Sequence, residues 1–514
     1  MGISVDRKKL AFALWKVGVD AATLSIGGVF KGAVDVVGAF STEGAGVPDA
    51  EEGARLLLQR ATYLAAIRTI QNHARSAGAL AVDADLAEIE AEISGLAADA
   101  PLELTADAFA CPERWPALTV MAKAFAGWMR VCHVPETSRA AMGRYFHEEI
   151  VLALAGELRD RLDGDYRALD MEVTRTTPLD DAARRARDWR AYRAWLVEAV
   201  RQPLRSIDSE RVPRYALSDL YIPLRALITI RGALSAAATA VDDGQAKERL
   251  VWLDEALDAW LAAADRNDPV RVLSGEAGAG KSSSCAMLAA RLARQGRRVL
   301  LVPLGRLDYH GDAWREVSDY AKGKLGHDPL AENLLRDSRG EPLLLILDGL
   351  DELVKAGETG ADAVAQFVSS LDRRIGRLND GGTCVLLLLA GRPGAVDRAG
   401  AIARADETRL HAVRFRLDES MEGRVVGDPL ADIDQCGEWW RRFDPKGGLP
   451  NLLAAGRDKR DYREFRAWRG YPETEGDPEW PDAKILLSLT RSLTSCWLEP
   501  MRRRHSTRTA CSTS

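Results

Sequence analysis

One octapeptide restricts the fold of this chain more than any other feature. Gly275-Glu276-Ala277-Gly278-Ala279-Gly280-Lys281-Ser282 fits the spacing GxxxxGK[ST] and stands between an apolar run, Val270–Leu273, and a helical stretch, Ser282–Gln295. Glycines at these positions let backbone N–H groups curl around a phosphate without Cβ clashes. A helix starting beside Lys281 adds the positive end of its dipole. In such a loop Lys281 would bridge the β- and γ-phosphates of a nucleotide, the Ser282 hydroxyl would ligate Mg2+, and Ser283 would extend the cradle. The loop works only where a buried strand feeds a helix, so these residues demand an α/β domain around them.

The rhythm of the chain agrees with that demand. After Pro269, short apolar runs at Val270–Leu273, Arg298–Leu304, Leu343–Leu347 and Val385–Leu389 alternate with helical stretches. Continuous Leu- and Val-rich runs of this length read as strands of a parallel sheet covered by helices. The run Leu343–Leu347 ends in Asp348, 67 residues after Lys281. An acid at a strand end is what a phosphate loop needs to hold the Mg2+ shell. Gly349 leaves room beside the metal, and Asp351 and Glu352 return toward the pocket, where a carboxylate could polarise the water that attacks a γ-phosphate. Dipole attraction at a helix N-terminus would also favour acids at these two positions. A third strand ends in Ala390-Gly391-Arg392-Pro393. From there Arg392 could report the presence of a γ-phosphate through its guanidinium fork.

The first half reads differently. Apolar positions recur at three- and four-residue spacing in Ala54, Leu57, Leu58, Ala61, Leu64 and Ala65, and again in Ile150, Leu154, Leu158 and Leu162. Leu86, Ile89, Ile93 and Leu96, then Trp189, Tyr192 and Leu196, and finally Leu250, Leu253, Leu257, Trp260 and Leu261 continue the pattern. Each stripe predicts an amphipathic helix that buries one face, and together they predict an all-helical domain over residues 46–265. Residues 1–45 read as an apolar, Gly-rich helical segment. Charges at Lys16, Asp20, Lys31 and Asp35 interrupt it, so no spanning helix is expected. A helical hairpin packed on its own domain is favoured there over a membrane contact through residues 10–40. Residues 268–415 form the α/β domain, 416–490 a partial helical extension containing Trp439, Trp440 and Phe443, and 491–514 a disordered tail.

Taken together, the segments Gly275–Ser282, Leu343–Glu352 and Leu386–Pro393 resemble the NACHT family of STAND-class NTPases, a branch of the AAA+ P-loop proteins. The Asp348-Gly349-Leu350-Asp351-Glu352 form and the strand LLLLAGRP carry the resemblance. It implies an AAA+/STAND-like parallel sheet with flanking helices, preceded by an all-α effector or oligomerisation domain. It further implies ATP and ADP as ligands, ATP favoured over GTP, Mg2+ as cofactor and low turnover. The ATP state would form a homo-oligomer in response to an unknown activating ligand or phage component, as in bacterial antiphage defence and conflict signalling. A motor or chaperone of the AAA+ type with a helical client-binding domain is the alternative.

Other chemistry is disfavoured by composition and spacing. Lys and Arg total 70 against 76 Asp and Glu, a formal net charge of −6, so the overall field gives no strong nucleic-acid signature. Seven scattered cysteines (111, 132, 285, 384, 436, 496, 511) form no CxxC, which points to a reducing compartment and a cytoplasmic protein. The seven histidines supply no HExxH or HxH spacing. Asp163, Asp165, Asp170 and Glu172 read as a turn with solvated acids rather than a nuclease centre. The Arg184–Arg193 cluster reads as a solvated surface, because its charges fall around a helix.

Overall fold

A computed structural model describes residues 3–4, 13, 48–77, 87, 91, 103–104, 112–161, 164–176, 181–202, 216–230, 247–307, 309–337, 341–356, 360–399, 408–413, 425, 428–433, 435, 438–439 and 442. The chain divides into two units, residues 1–198 and 199–514. The hairpin expected over residues 10–40, the stripe Leu86–Leu96 and the tail 491–514 lie outside the described residues, apart from Ala13 and single positions within the stripe.

The first unit is helical. Besides the two-residue antiparallel pair β1 (Ile3–Ser4) and β2 (Glu103–Leu104), it contains α1 (Ala50–Ala77), α2 (Ala117–Val131), α3 (Glu136–Arg161), α4 (Arg167–Thr176) and α5 (Asp181–Ala199). The spacing predicted one buried face for α1, but its middle is buried all round. Leu56, Leu57, Leu58, Tyr63, Leu64 and Ile67 are enclosed, and so are Gln59, Arg60, Thr62 and Thr69. α1 packs along α3 and also against α4 and β1, so neighbours cover more of its surface than a single stripe would require. Phe125 of α2 stacks on Phe146 of α3 with ring centroids 4.3 Å apart and on Trp128 at 5.4 Å.

Burial of Arg60 and Thr69 in α1 is matched by partners. Arg60, 2% exposed, donates to Asp165 Oδ2 at 2.6 Å and to the Tyr166 hydroxyl at 3.3 Å, while that hydroxyl donates to Glu157 Oε2 at 2.9 Å. Thr69 Oγ1 returns its proton to the Ala65 carbonyl at 2.7 Å. Asp165 and Asp170 are thus structural acids, Asp170 pairing with Arg187 at 3.3 Å. The arginines of α5 are likewise engaged, Arg184 with Asp181 at 2.5 Å and Arg190 with Glu113 at 2.9 Å.

The second unit holds a seven-stranded sheet in the order β4-β3-β9-β5-β8-β7-β6. Its strands are β3 (Arg225–Ile230), β4 (Lys247–Trp252), β5 (Val270–Ser274), β6 (Arg298–Pro303), β7 (Leu343–Asp348), β8 (Val385–Gly391) and β9 (Arg409–Ala412). β9, β5, β8, β7 and β6 run parallel, while β3 pairs antiparallel with both β4 and β9. Helices α6 (Leu217–Leu220), α7 (Leu253–Ala263), α8 (Lys281–Arg294), α9 (Ala313–Leu325), α10 (Glu332–Asp337), α11 (Gly360–Asp380) and α12 (Pro393–Arg398) complete it.

Two strands correct the expectation of helix up to residue 265. Residues 225–230 and 247–252 belong to the sheet, and the α/β unit begins well upstream of residue 268. Leu250 fell into register with the stripe of Leu253, Leu257 and Trp260 only because β4 passes directly into α7 between Trp252 and Leu253. The expected strands from Val270 onward all form. Every side chain of β8 is buried, as is every one of β7 up to Asp348, as befits strands hydrogen-bonded on both sides in a helix-covered sheet.

Removing Arg60 tests how far the first unit depends on its buried network. Arg60→Ala leaves Glu157 and Tyr166 without their cation and should destabilise this unit by about 3–5 kcal/mol. The first transition in urea-induced unfolding, followed by far-UV circular dichroism, should move to lower denaturant.

Candidate nucleotide-binding site

β5 ends at Ser274 and α8 begins at Lys281, so the Gly275–Gly280 loop sits at the carboxyl edge of the parallel strands, between strand and helix. Gly278 and Gly280 take φ of +78° and +90°, a region that L side chains rarely adopt. Gly280 occupies the position just before α8, and its carbonyl accepts from Ser284 N at 2.9 Å. Lys281 folds over its own loop: Nζ donates to the carbonyls of Gly275 at 2.6 Å and Glu276 at 3.0 Å. Burial lowers its pKa, while Asp351 and Asp348 pull it back up.

Asp348 emerges at the end of β7, opposite Pro303 of β6 and Ala390 of β8. Burial pushes its carboxyl up to about 6, with the Ser282 hydroxyl bond pulling down and Glu352 pushing up. Ser282 and Lys281 of the loop are thus the groups that favour the charged form of the Asp348 carboxyl against its burial. A hydroxyl and a carboxylate are hard oxygen donors suited to Mg2+, which retains waters and takes further ligands from phosphate. Among the described residues no cluster of three or more His, Cys, Asp or Glu is placed to hold a metal, and a Mg2+ of this kind needs none.

Beyond Asp348 the backbone turns sharply at Gly349, φ +89°, whose N–H donates to the Ala390 carbonyl at 3.0 Å. A 3-10 turn, Leu350–Ala356, follows and separates the two candidate acids. Asp351 faces Arg392: Oδ2 lies 2.8 Å from Arg392 Nε, and Oδ1 accepts from the Arg392 N–H at 3.3 Å. Glu352 turns the other way and lays its carboxylate against Gly305 and Gly349. The structure thus brings Lys281, Ser282, Asp348, Asp351, Glu352 and Arg392 to one end of the sheet, with Arg392 held by an acid and its side chain 55% exposed.

A further group of residues at this site was not singled out from sequence. The stretch Tyr221–Leu224 leads into β3 and lies on the loop: a Cβ on Gly280 would sit 3.3 Å from Leu224, and the Tyr221 hydroxyl is 3.0 Å from Ser284 Oγ. Burial raises the Tyr221 pKa, with Asp254 adding to it. The stretch is held from the far end of the chain. Gln435 Nε2 donates to the Pro223 carbonyl at 2.6 Å and Arg442 to that of Tyr221 at 2.5 Å. Arg225, 1% exposed, donates to Gln435 Oε1 at 2.8 Å and to the carbonyls of Leu430 and Ala431. A charged residue opening an otherwise apolar strand run was the available signal. Trp439 is buried, whereas Trp440 and Phe443 fall outside the described residues.

The sheet order, the loop and the acidic strand end together define a P-loop NTPase fold preceded by a helical domain. The family described as NACHT N-terminal Helical domain 3 matches residues 3–205. The match supports a NACHT-type protein with an N-terminal helical domain, and it falls entirely on the half of the chain that carries none of the phosphate-site motifs. A search of curated proteins gave no match. Among the described residues no helix is long and apolar enough to cross a membrane.

The raised pKa of Asp348 has a consequence for stability. An acid with a folded pKa above its unfolded value stabilises the fold below the unfolded pKa, near 3.8, and loses that contribution as pH rises through about 6. With chelator present and no nucleotide, Asp348→Asn should therefore melt a few degrees above the wild type at pH 8. The difference should shrink as pH falls from 6 to 4, measured by scanning calorimetry.

Proposed function

We propose that the chain is a signalling switch of the NACHT/STAND type that binds ATP, hydrolyses it slowly and assembles into oligomers in the ATP state. The placement of the Gly275–Gly280 loop and of Asp348 at the same carboxyl edge of the parallel sheet carries this reading, with Ser282 and Lys281 both favouring the charged form of Asp348. Mg2+ held by Ser282 and Asp348 would supply charge to the phosphate oxygens as the γ-phosphate leaves. Lys281 would exchange its bonds to the carbonyls of Gly275 and Glu276 for the β- and γ-phosphates, with backbone N–H groups from Gly275 to Ser283 completing the cradle. Glu352, whose carboxylate is not tied to Arg392, would orient the attacking water and accept its proton.

Arg392 would be the reporter. Its guanidinium is paired with Asp351, and a γ-phosphate would compete with that carboxylate for the same donors. A nucleotide state that releases Asp351 differs from one that retains it, which is the differential contact a switch requires. Moving an equilibrium from 1:99 to 99:1 takes about 5.5 kcal/mol of such difference. The preference for ATP over GTP, a bacterial source and a role in antiphage defence rest on the family resemblance.

Three variants test the reading. Lys281→Ala should lose nucleotide binding in calorimetry, since the phosphate charge is left uncompensated. Glu352→Gln should retain ATP while phosphate release falls by about 100-fold or more. Light scattering should show larger particles for Glu352→Gln with ATP than with ADP, and Arg392→Ala should narrow that gap. Equal masses in every nucleotide state would leave a nucleotide-binding fold without a switch.

A further inference from the structure

Gly305 lies in the 3-10 turn Leu304–Arg306 that follows β6, two residues beyond Pro303, the partner of Asp348 in the β6–β7 register. Its backbone gives no reason for glycine. The described glycines with positive φ are Gly278, Gly280, Gly296, Gly311, Gly326, Gly349 and Gly382, and Gly305 is not among them. An alanine would fit that backbone and would restrict the unfolded chain, which ordinarily favours the folded state. The space is what alanine would not respect. A Cβ on Gly305 would collide with Oε2 of Glu352 and stand 3.1 Å from its Cδ and 3.3 Å from its Cβ. Gly349 receives the same side chain from the other strand end, with Glu352 Cδ 3.2 Å and Cγ 3.3 Å from where its Cβ would be. The Glu352 carboxylate therefore occupies a slot between the tips of β6 and β7 whose two walls are glycines.

We propose that Gly305 is a positioning residue for hydrolysis: its missing side chain is the space in which the Glu352 carboxylate is held beside Asp348. The inference rests on the reading of Glu352 as the residue that orients water. The colliding atom is the far end of a flexible side chain, so a methyl group at 305 displaces the carboxylate without forcing the strands apart. Gly305 acts through Glu352 and touches no phosphate, so binding and turnover separate.

The test compares wild type, Gly305→Ala, Glu352→Gln, Glu352→Asp and the double variant Gly305→Ala/Glu352→Asp in the full chain with Mg2+ and ATP. ATP affinity is read by calorimetry, turnover by phosphate release and folding by melting temperature. Gly305→Ala should keep its melting temperature and bind ATP within about twofold of wild type, while turnover falls by about tenfold or more. Glu352→Asp should lower turnover when residue 305 is glycine. It should raise turnover when residue 305 is alanine, because the shorter carboxylate gives back the room the methyl took. That reversal of sign is the mark of a shared slot. Wild-type turnover in Gly305→Ala with Glu352→Gln inactive overturns the slot and leaves the role of Glu352 standing. Wild-type turnover in Glu352→Gln removes the role itself, and the slot with it. Joint loss of melting temperature, binding and turnover in Gly305→Ala, with no recovery in the double variant, assigns Gly305 to folding and also overturns the proposal.

Discussion

The parallel ladder that fixes β7 between β6 and β8 carries the rest of the site. Leu343 to Leu347 are locked on both sides by backbone hydrogen bonds, and Asp348 leaves the sheet level with Pro303 and Ala390. Side chains alternate along a strand, so a slip of one residue would turn Asp348 to the opposite face and away from Ser282. The same register delivers Gly305 from one neighbour and Arg392 from the other. β8 also stands between β7 and the loop strand β5, so the arginine is interposed between the acidic strand and the phosphate loop.

Charges around that point are arranged in partial opposition. Asp348, Asp351 and Glu352 gather at one strand end, where burial, and after it the neighbouring carboxylates, keep the Asp348 carboxyl protonated more readily than in water. Lys281 and Arg392 offset some of this, the first by bonding its own loop and the second by pairing with Asp351. Burial thus disfavours the charged form of Asp348, and a divalent cation beside it would offset that cost.

Contacts across more than 200 residues tie the loop to the chain beyond β9. Gln435 and Arg442 bind the stretch Tyr221–Leu224 by side chain to carbonyl, Arg225 donates to Gln435, and the stretch in turn covers Gly280 and Ser284. Arg225 is enclosed, so its guanidinium depends on buried acceptors, and loss of the segment near Leu430 would remove two of them.

The sequence by itself determined the parts whose chemistry is local. Gly275–Ser282 can be read because a phosphate loop needs its glycines, lysine and serine contiguous, and Leu343–Asp348 because a doubly paired strand must be apolar until the residue that leaves the sheet. The helical repeat from Ala54 to Ala65 announced a helix correctly but not its burial on every side, since a stripe gives a minimum of covered surface and the neighbours decide the rest. β3 and β4 escaped notice because the 3.6-residue spacing of α7 extended by coincidence to Leu250. Only the tertiary structure decided that Asp351 faces Arg392 while Glu352 faces Gly305, and that Arg225 meets Gln435. Adjacent acids are equivalent in a one-dimensional pattern, and they diverge only when a turn at Gly349 and the tips of two neighbouring strands set different surroundings around each.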